Sequence, residues 1–214
     1  MENSPGHVPE PARCIPAGHI RGVAIFAGFL DRAQQERLVA ALRAVVAAAP
    51  LFAPVTATGR PMSVRMTSAG RFGWYSDRKG YRYIDRHPAG TPWPAIPGEI
   101  LDVWRAVTGL ARDPDCCLVN HYGAAARMGM HQDRDEADFS WPVVSVSLGD
   151  DALFRIGNLA RGGPSESLWL RSGDVLVLGG AARLLHHGVD RIAPGTSTVL
   201  TAPGRINLTL RVVT

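Results

Sequence analysis

The chain has almost no lysine. Of its 23 basic residues only Lys79 is one, and the rest are arginine. Against 19 acidic residues the formal charge is +4, an excess that permits nucleic-acid binding without requiring it. Arginine suits two-pronged recognition of carboxylate and phosphate. A GC-rich genome would enrich arginine codons too, whatever the function. Cysteine is also scarce. Cys14, Cys116 and Cys117 are an odd count, and sequence neighbours rarely bridge each other because a disulfide needs separated Cα atoms. With no disulfide framework, the expected compartment is reducing. Long apolar runs are missing, so no stretch reaches transmembrane length. Met1 to His19 holds Pro5, Pro9, Pro11 and Pro16 and lacks the apolar centre of a signal peptide. It reads as a disordered tail over 1–19. Internal repeats are absent. These absences point to a soluble, cytoplasmic chain, monomeric by default and without a membrane partner. Its 214 residues and 46% hydrophobic content suffice for one large or two small domains.

Helical spacing occurs twice. Asp31 is placed to cap a helix, with Gln34 as its capping-box partner. Leu38, Leu42, Val45, Val46 and Ala49 then follow helical spacing until Pro50 ends the pattern. Ile100, Val103, Trp104 and Val107 repeat that spacing up to Gly109. Both helices read as scaffold with one buried face. Between them, residues 51–92 hold short β-like pieces broken by glycine. Trp74, Tyr75, Tyr81 and Tyr83 stand there among Arg60, Arg65, Arg71, Arg78, Lys79, Arg82 and Arg86. Interleaved aromatics and cations can stack bases and track phosphates. They fit equally a hairpin-rich lid whose aromatics pack on the body. After Pro114 short alternating stretches follow, at Cys117–Tyr122, Pro142–Leu148, Ala152–Ile156, Ser167–Arg171, Asp174–Leu178 and Arg205–Val213. Two helices followed by many short strands predict an α+β chain, with two packed sheets forming a jelly roll and helices against one of them.

Three features carry chemistry. His131 and Asp133 are two apart, so on extended backbone both point the same way and can reach one metal ion. A second histidine from His186-His187 would complete a face of two imidazoles and one carboxylate, which suits non-haem Fe(II) with positions left for O2 and a co-substrate. Adjacent residues face opposite ways, so at most one of these two histidines binds, and spacing leaves the choice open. His7, His19, His87 and His121 have no partner spacing and read as structural. The last strand alternates strictly: Ile206, Leu208, Leu210 and Val212 on one face, Arg205, Asn207, Thr209 and Arg211 on the other. The ordinary expectation for the polar face is solvent. Asn120 and Tyr122, a second polar pair on one strand face close to His131, suggest instead a cationic pocket for a small dicarboxylate beside the metal.

These pieces resemble the AlkB family of Fe(II)- and 2-oxoglutarate-dependent nucleic-acid dealkylases, its bacterial branch in particular. The matching stretches are Asn120-His121-Tyr122, His131 to Glu136, Val143 to Gly149, Arg183 to Gly188, and Arg205 to Arg211. Upstream, Gly73-Trp74, Gly80 to Tyr83 and Pro92 to Ala95 match as well. The resemblance spans roughly 20–213. It implies a jelly-roll domain over 20–214, with a nucleotide lid at 51–92 and a catalytic core at 115–214. It implies iron on His131, Asp133 and His187, and 2-oxoglutarate on Asn120, Tyr122, Arg205, Asn207, Thr209 and Arg211. Arg205 would take the far carboxylate and Arg211 the end near the metal. Trp74, Tyr81, Arg82, Tyr83, Asp135 and Arg161 would meet the substrate. The implied reaction is O2-dependent demethylation of 1-methyladenine and 3-methylcytosine in DNA, with RNA as a further substrate, releasing formaldehyde, succinate and CO2. Arg65 and Leu178 depart from the family pattern near the lid and pocket. Two alternatives stay open: an oxygenase of the same chemistry acting on methylated RNA, protein or a small molecule, and a nucleic-acid-binding jelly roll with a vestigial metal site.

Overall fold

The computed structural model describes residues 14–56 and 58–214. Helix α1 covers Arg32–Ala48, and Asp31 and Gln34 form the expected reciprocal capping box. Ala49 closes the helix by donating its N–H to Val45 O, one residue before Pro50. Helix α2 covers Gly98–Thr108 and ends at Gly109, whose φ of 67° is the left-handed conformation that glycine adopts without penalty. Leu38, Leu42 and Val45 of α1 and Ile100, Val103, Trp104 and Val107 of α2 are buried, as their spacing predicts; Gln35, Val39 and Thr108 are buried as well, while Val46 is only half-buried.

The strands, in chain order, are β1 (Gly18–Ile20), β2 (Val23–Phe26), β3 (Arg65–Gly70), β4 (Gly73–Asp77), β5 (Gly80–Ile84), β6 (Cys116–Tyr122), β7 (Met128–His131), β8 (Val143–Gly149), β9 (Asp151–Ile156), β10 (Glu166–Leu170), β11 (Val175–Leu178), β12 (His187–Ala193) and β13 (Arg205–Arg211). A major sheet orders them β1-β2-β11-β8-β13-β6-β3, and a minor sheet β10-β9-β12-β7. Strands β4 and β5 form a separate hairpin. The major sheet carries two cores. Phe26, Val119, Val146, Leu208 and Leu210 meet the two helices on one side. Leu118, Val143 and Leu176 meet Phe154, Ile156 and Val189 of the minor sheet on the other. Each large apolar side chain buried in this way contributes about 1.5–3 kcal/mol. This is the expected jelly roll with helices on one sheet.

Some boundaries differ from expectation. The loose tail over 1–19 is corrected at its end: Cys14 N–H donates to Ala106 O, Ala17 N–H donates to Ile25 O, and β1 pairs with β2. The rest of that tail, 1–13, lies outside the described residues. The stretch 51–92 is not all lid, because β3 pairs along the whole of β6 and is the edge of the major sheet. Only the β4–β5 hairpin stands apart. Strands β7 and β12 were not anticipated, and they pair so that His131 and His187 are direct partners. No helix among the described residues is long and apolar enough to cross a membrane.

Candidate active site

Strand β13 lies between β8 and β6, so its two faces look in opposite directions from the middle of the major sheet. Leu208 and Leu210 enter the helix-side core. Arg205, Asn207, Thr209 and Arg211 line a cavity of about 690 Å³ instead of meeting solvent. Pairing matches polar to polar across the sheet. Arg205 stands opposite Tyr122, Asn207 opposite both Asn120 and Ser147, and Thr209 opposite Ser145. An antiparallel sheet with one buried face usually leaves the other wet. Here the second sheet covers it, and the polar row becomes the floor of a pocket.

At one end of the pocket His131, Asp133 and His187 converge, each offering a donor atom within 4.8 Å of the others. The Nε2 atoms of His131 and His187 each lie 3.7 Å from an Asp133 oxygen. The other ring nitrogens face backbone carbonyls, His131 Nδ1 at 2.8 Å from Gly129 O and His187 Nδ1 at 2.9 Å from Leu185 O. A carbonyl only accepts, so Nδ1 carries the proton and the Nε2 lone pair is left for a metal. Burial pushes the His187 imidazole down to about 4, against the pull of Asp133, so the ring stays neutral near pH 7. Burial alone would raise the Asp133 carboxyl. Arg211 foremost, then His187, His131 and Arg183, outweigh it and hold the carboxyl well below the usual range. Two imidazoles and one carboxylate on one face fit non-haem Fe(II). His186 is not in this group; its Nδ1 is 3.0 Å from Asn158 O.

The arginines differ in their partners. Arg211 Nη2 donates to Asp133 Oδ1 at 2.7 Å, and its Nη1 donates to the Tyr83 hydroxyl at 2.9 Å. Arg205 is only 1% exposed, yet it donates to neutral atoms alone, Ser147 Oγ at 2.7 Å and Asp150 O at 3.3 Å. Burial brings its pKa down to about 10. Arg205 Nε and Asn120 Oδ1, both buried, have no hydrogen-bond partner. A buried unpaired polar atom costs about 1–3 kcal/mol, and more when charged. Asn120 Oδ1 is an acceptor and calls for a donor, whereas the spare N–H of Arg205 on the cavity wall marks the place of an anionic ligand. The Tyr122 hydroxyl, pushed up to about 12 by burial, keeps its proton and can donate to one. The donors therefore fit a dicarboxylate such as 2-oxoglutarate.

The rim is aromatic and charged. Trp74 Nε1 donates to Asp135 Oδ2 at 2.9 Å, and the Trp74 ring stacks on Tyr81 with centroids 5.4 Å apart. Trp74, Tyr81, Asp135, Arg161 and Leu178 all line the cavity. Two residues expected to meet substrate do not line it. Arg82 pairs with Asp77 at 2.7 Å and lies over the Tyr75 ring, on the other face of the hairpin. Tyr83 shares a face with Trp74 but sits deeper, where its hydroxyl donates to Glu136 Oε1 at 2.5 Å. Arg65, opposite His121 on the edge strand, donates to Leu51 O and also lies off the cavity. Several residues of the site were missed. Gln132 donates to Leu159 O and Leu184 O, tying together the loops that carry Arg161 and His187. Glu136 and Arg183 form a buried pair at 3.0 Å under Asp133. Met130 joins Met62, Met66 and Met128 in the cavity wall. The signal available for Glu136 was position: it stands one place beyond Asp135, on the opposite side of an extended segment.

Fold and site together define an oxygenase that pairs iron with a 2-oxo acid, and the model of the 2OG-Fe(II) oxygenase superfamily matches residues 22–211. An alpha-ketoglutarate-dependent dioxygenase AlkB homolog of Caulobacter vibrioides is 53% identical over 197 residues, covering 92% of this chain and 90% of that protein. The alpha-ketoglutarate-dependent dioxygenase AlkB of Escherichia coli is 41% identical over 181 residues, covering 82% and 83%. The solved structure of OsALKBH1 superposes with a TM-score of 0.76 at 31% identity, over 92% of this chain and 100% of that one. The chain belongs to the AlkB family within that superfamily, and it is a dioxygenase that uses Fe(II), 2-oxoglutarate and O2.

Proposed function

We propose that the protein removes N-linked methyl groups from 1-methyladenine and 3-methylcytosine in DNA, with RNA as a further substrate, as direct-reversal repair. One observation carries this reading. A single cavity joins the cluster of His131, Asp133 and His187 and the anion-short Arg205 to a rim of Trp74, Tyr81, Asp135 and Arg161. When bound, Fe(II) with 2-oxoglutarate and O2 supplies hydroxylation of an N-methyl C–H, with succinate and CO2 as co-products; the hydroxymethyl group then leaves as formaldehyde. The residues do the rest. Arg205, Asn120, Tyr122, Asn207 and Thr209 bind and orient the co-substrate from the floor of the cavity, with Arg211 at the end near the metal. Trp74 offers a face and Asp135 a negative charge, which together favour a base that alkylation has made cationic. Arg161 stands at the same rim, suited to a phosphate or a base edge. The methylated atom lies inside the base pair, so the base must be unpaired or flipped to reach the cavity. The working unit is taken as a monomer in the cytoplasm.

The test is formaldehyde release from methylated oligonucleotides supplied with Fe(II) and 2-oxoglutarate. Release from 1-methyladenine DNA is expected, and His131→Ala abolishes it. No release from the native protein, or undiminished release from the variant, refutes the proposal. Running methylated DNA, methylated RNA and methylated peptide in parallel decides the substrate class, and turnover of peptide alone would select the alternative oxygenase.

A further inference from the structure

The hairpin of β4 and β5 pairs with neither sheet; one backbone bond, from Val55 N–H to Ser76 O, holds it, and its other ties to the body over the cavity involve side chains. One of these, on the same face of the hairpin as the buried Ser76, is Tyr83. Its hydroxyl donates to Glu136 Oε1 at 2.5 Å and accepts from Arg211 Nη1 at 2.9 Å. The same guanidinium donates through Nη2 to the metal-facing Asp133 Oδ1 at 2.7 Å, and its Nε lies 3.5 Å from Glu136 Oε1. The second Glu136 oxygen accepts from Arg183 at 3.0 Å, and Arg183 also donates to Asp133 O at 2.6 Å and Trp141 O at 2.8 Å. The Glu136 side chain is wholly buried and that of Arg183 nearly so. A guanidinium is planar and rigid, so fixing its Nη1 side fixes where its Nη2 side points. The hydroxyl that seats the hairpin therefore also sets the aim of Arg211.

We propose that Tyr83 and Glu136 are positioning residues that link the seating of the β4–β5 hairpin to the aim of Arg211, so that binding of 2-oxoglutarate tightens the hairpin over the cavity. The link rests on the reading that Arg211 serves the co-substrate end nearest the metal. It is reciprocal: if the co-substrate holds Arg211 in the pose that Tyr83 needs, a seated hairpin tightens co-substrate binding by the same factor. Lesion recognition at Trp74, on the partner strand of Tyr83, would then follow co-substrate loading.

The experiment uses the full chain loaded with Mn(II), which supports binding without turnover. Hydrogen exchange of the amides of residues 73–84 is measured with and without 2-oxoglutarate, beside calorimetric affinity for 2-oxoglutarate. In the native protein the co-substrate should slow hairpin exchange. In Tyr83→Phe that response should vanish and co-substrate affinity should fall about fivefold, the lower end of ordinary coupling between sites. Glu136→Gln keeps an acceptor for Tyr83 but removes the charge beside Arg211. It should lose the response as well, and it carries the test if the first variant does not fold. A merely structural Tyr83 would speed exchange equally in both states and leave the response to 2-oxoglutarate intact; that result overturns the link. Failure of the native Mn(II) protein to bind 2-oxoglutarate would instead overturn the reading of the cavity on which the link depends.

Discussion

Replacing Arg205 with methionine should separate binding from stability. The substitution keeps an unbranched chain of similar length and removes the guanidinium. That group is buried, donates hydrogen bonds only to the neutral Ser147 Oγ and Asp150 O, and leaves Nε without a partner. Its pKa, pressed down to about 10, shows that the cation is worse off there than in water. Exchanging a poorly paired buried charge for an apolar side chain is often neutral or stabilising. The ligand-free melting temperature should therefore hold or rise. The loaded protein should behave oppositely. A charged hydrogen-bonding contact to a carboxylate is worth up to about 3 kcal/mol, which corresponds to about a 150-fold loss of 2-oxoglutarate affinity. At a co-substrate concentration of about 100 times the native Kd, ligand binding stabilises the native protein by about 2.7 kcal/mol and the variant by only about 0.3 kcal/mol. For a chain of this size that is a melting shift of about 5–11 °C against about 1 °C. The assay is thermal unfolding of the Mn(II)-loaded protein across a 2-oxoglutarate titration. A variant that melts several degrees lower without ligand but keeps the native ligand shift would refute the assignment, making Arg205 a structural residue.

Four further outcomes follow from the same geometry. His187→Ala should abolish Mn(II) binding by calorimetry, whereas His186→Ala, outside the cluster, should leave it within a few-fold of native. The metal-free protein should lose stability as pH falls from 6.5 to 4. Folded His187 stays neutral down to about 4 while the unfolded chain takes up the proton near 6.5, so protons favour unfolding in that window. The full loss is about 3 kcal/mol, and a denaturation midpoint that stays flat across the window would contradict it. Trp74→Ala removes the stacking face and the tie to Asp135 and should raise KM for a methylated oligonucleotide at least about tenfold, with 2-oxoglutarate affinity changed far less. Gly73→Ala should unseat the start of the hairpin, because the added Cβ would lie 2.2 Å from Trp93 Cζ2; a loss of about 2 kcal/mol in chemical denaturation is expected.

What the sequence made legible was set by alternation and capping. The strict two-residue period of β13 announced both its faces, because the strand is unbroken and paired on both sides. Asp31 with Gln34, and Gly109, marked helix ends through side-chain and backbone chemistry that is local to the chain. Strand β12 escaped because its pairing with β9 shifts register between Val189 and Arg191, which breaks the alternation. Strand β7 is four residues long and contains Gly129, too little pattern to register. For residues 51–92 composition could not separate β3, whose edge pairing with β6 is decided in three dimensions, from the hairpin that follows it. Tyr81 and Tyr83 share a face by spacing, yet one reaches the rim and the other a buried carboxylate. Depth along a hairpin has no periodic signature. The choice between His186 and His187 was open from spacing; the pairing of His187 with His131 places it in the cluster.

Strand β13 has a consequence for how this protein can change over generations. One short segment supplies both a wall of the helix-side core and a row of the pocket, with the two sets of residues interleaved one by one. Inserting or deleting a single residue within it would exchange the sets, turning arginines toward Trp104 and leucines toward the metal ligands. Such a change would cost folding and chemistry at once, so neither can be traded for the other. The co-substrate row is therefore inherited as a block with the scaffold and with Tyr83, while the rim residues of the hairpin and the loop bearing Arg161, which share no strand with that core, are free to diversify toward new substrates.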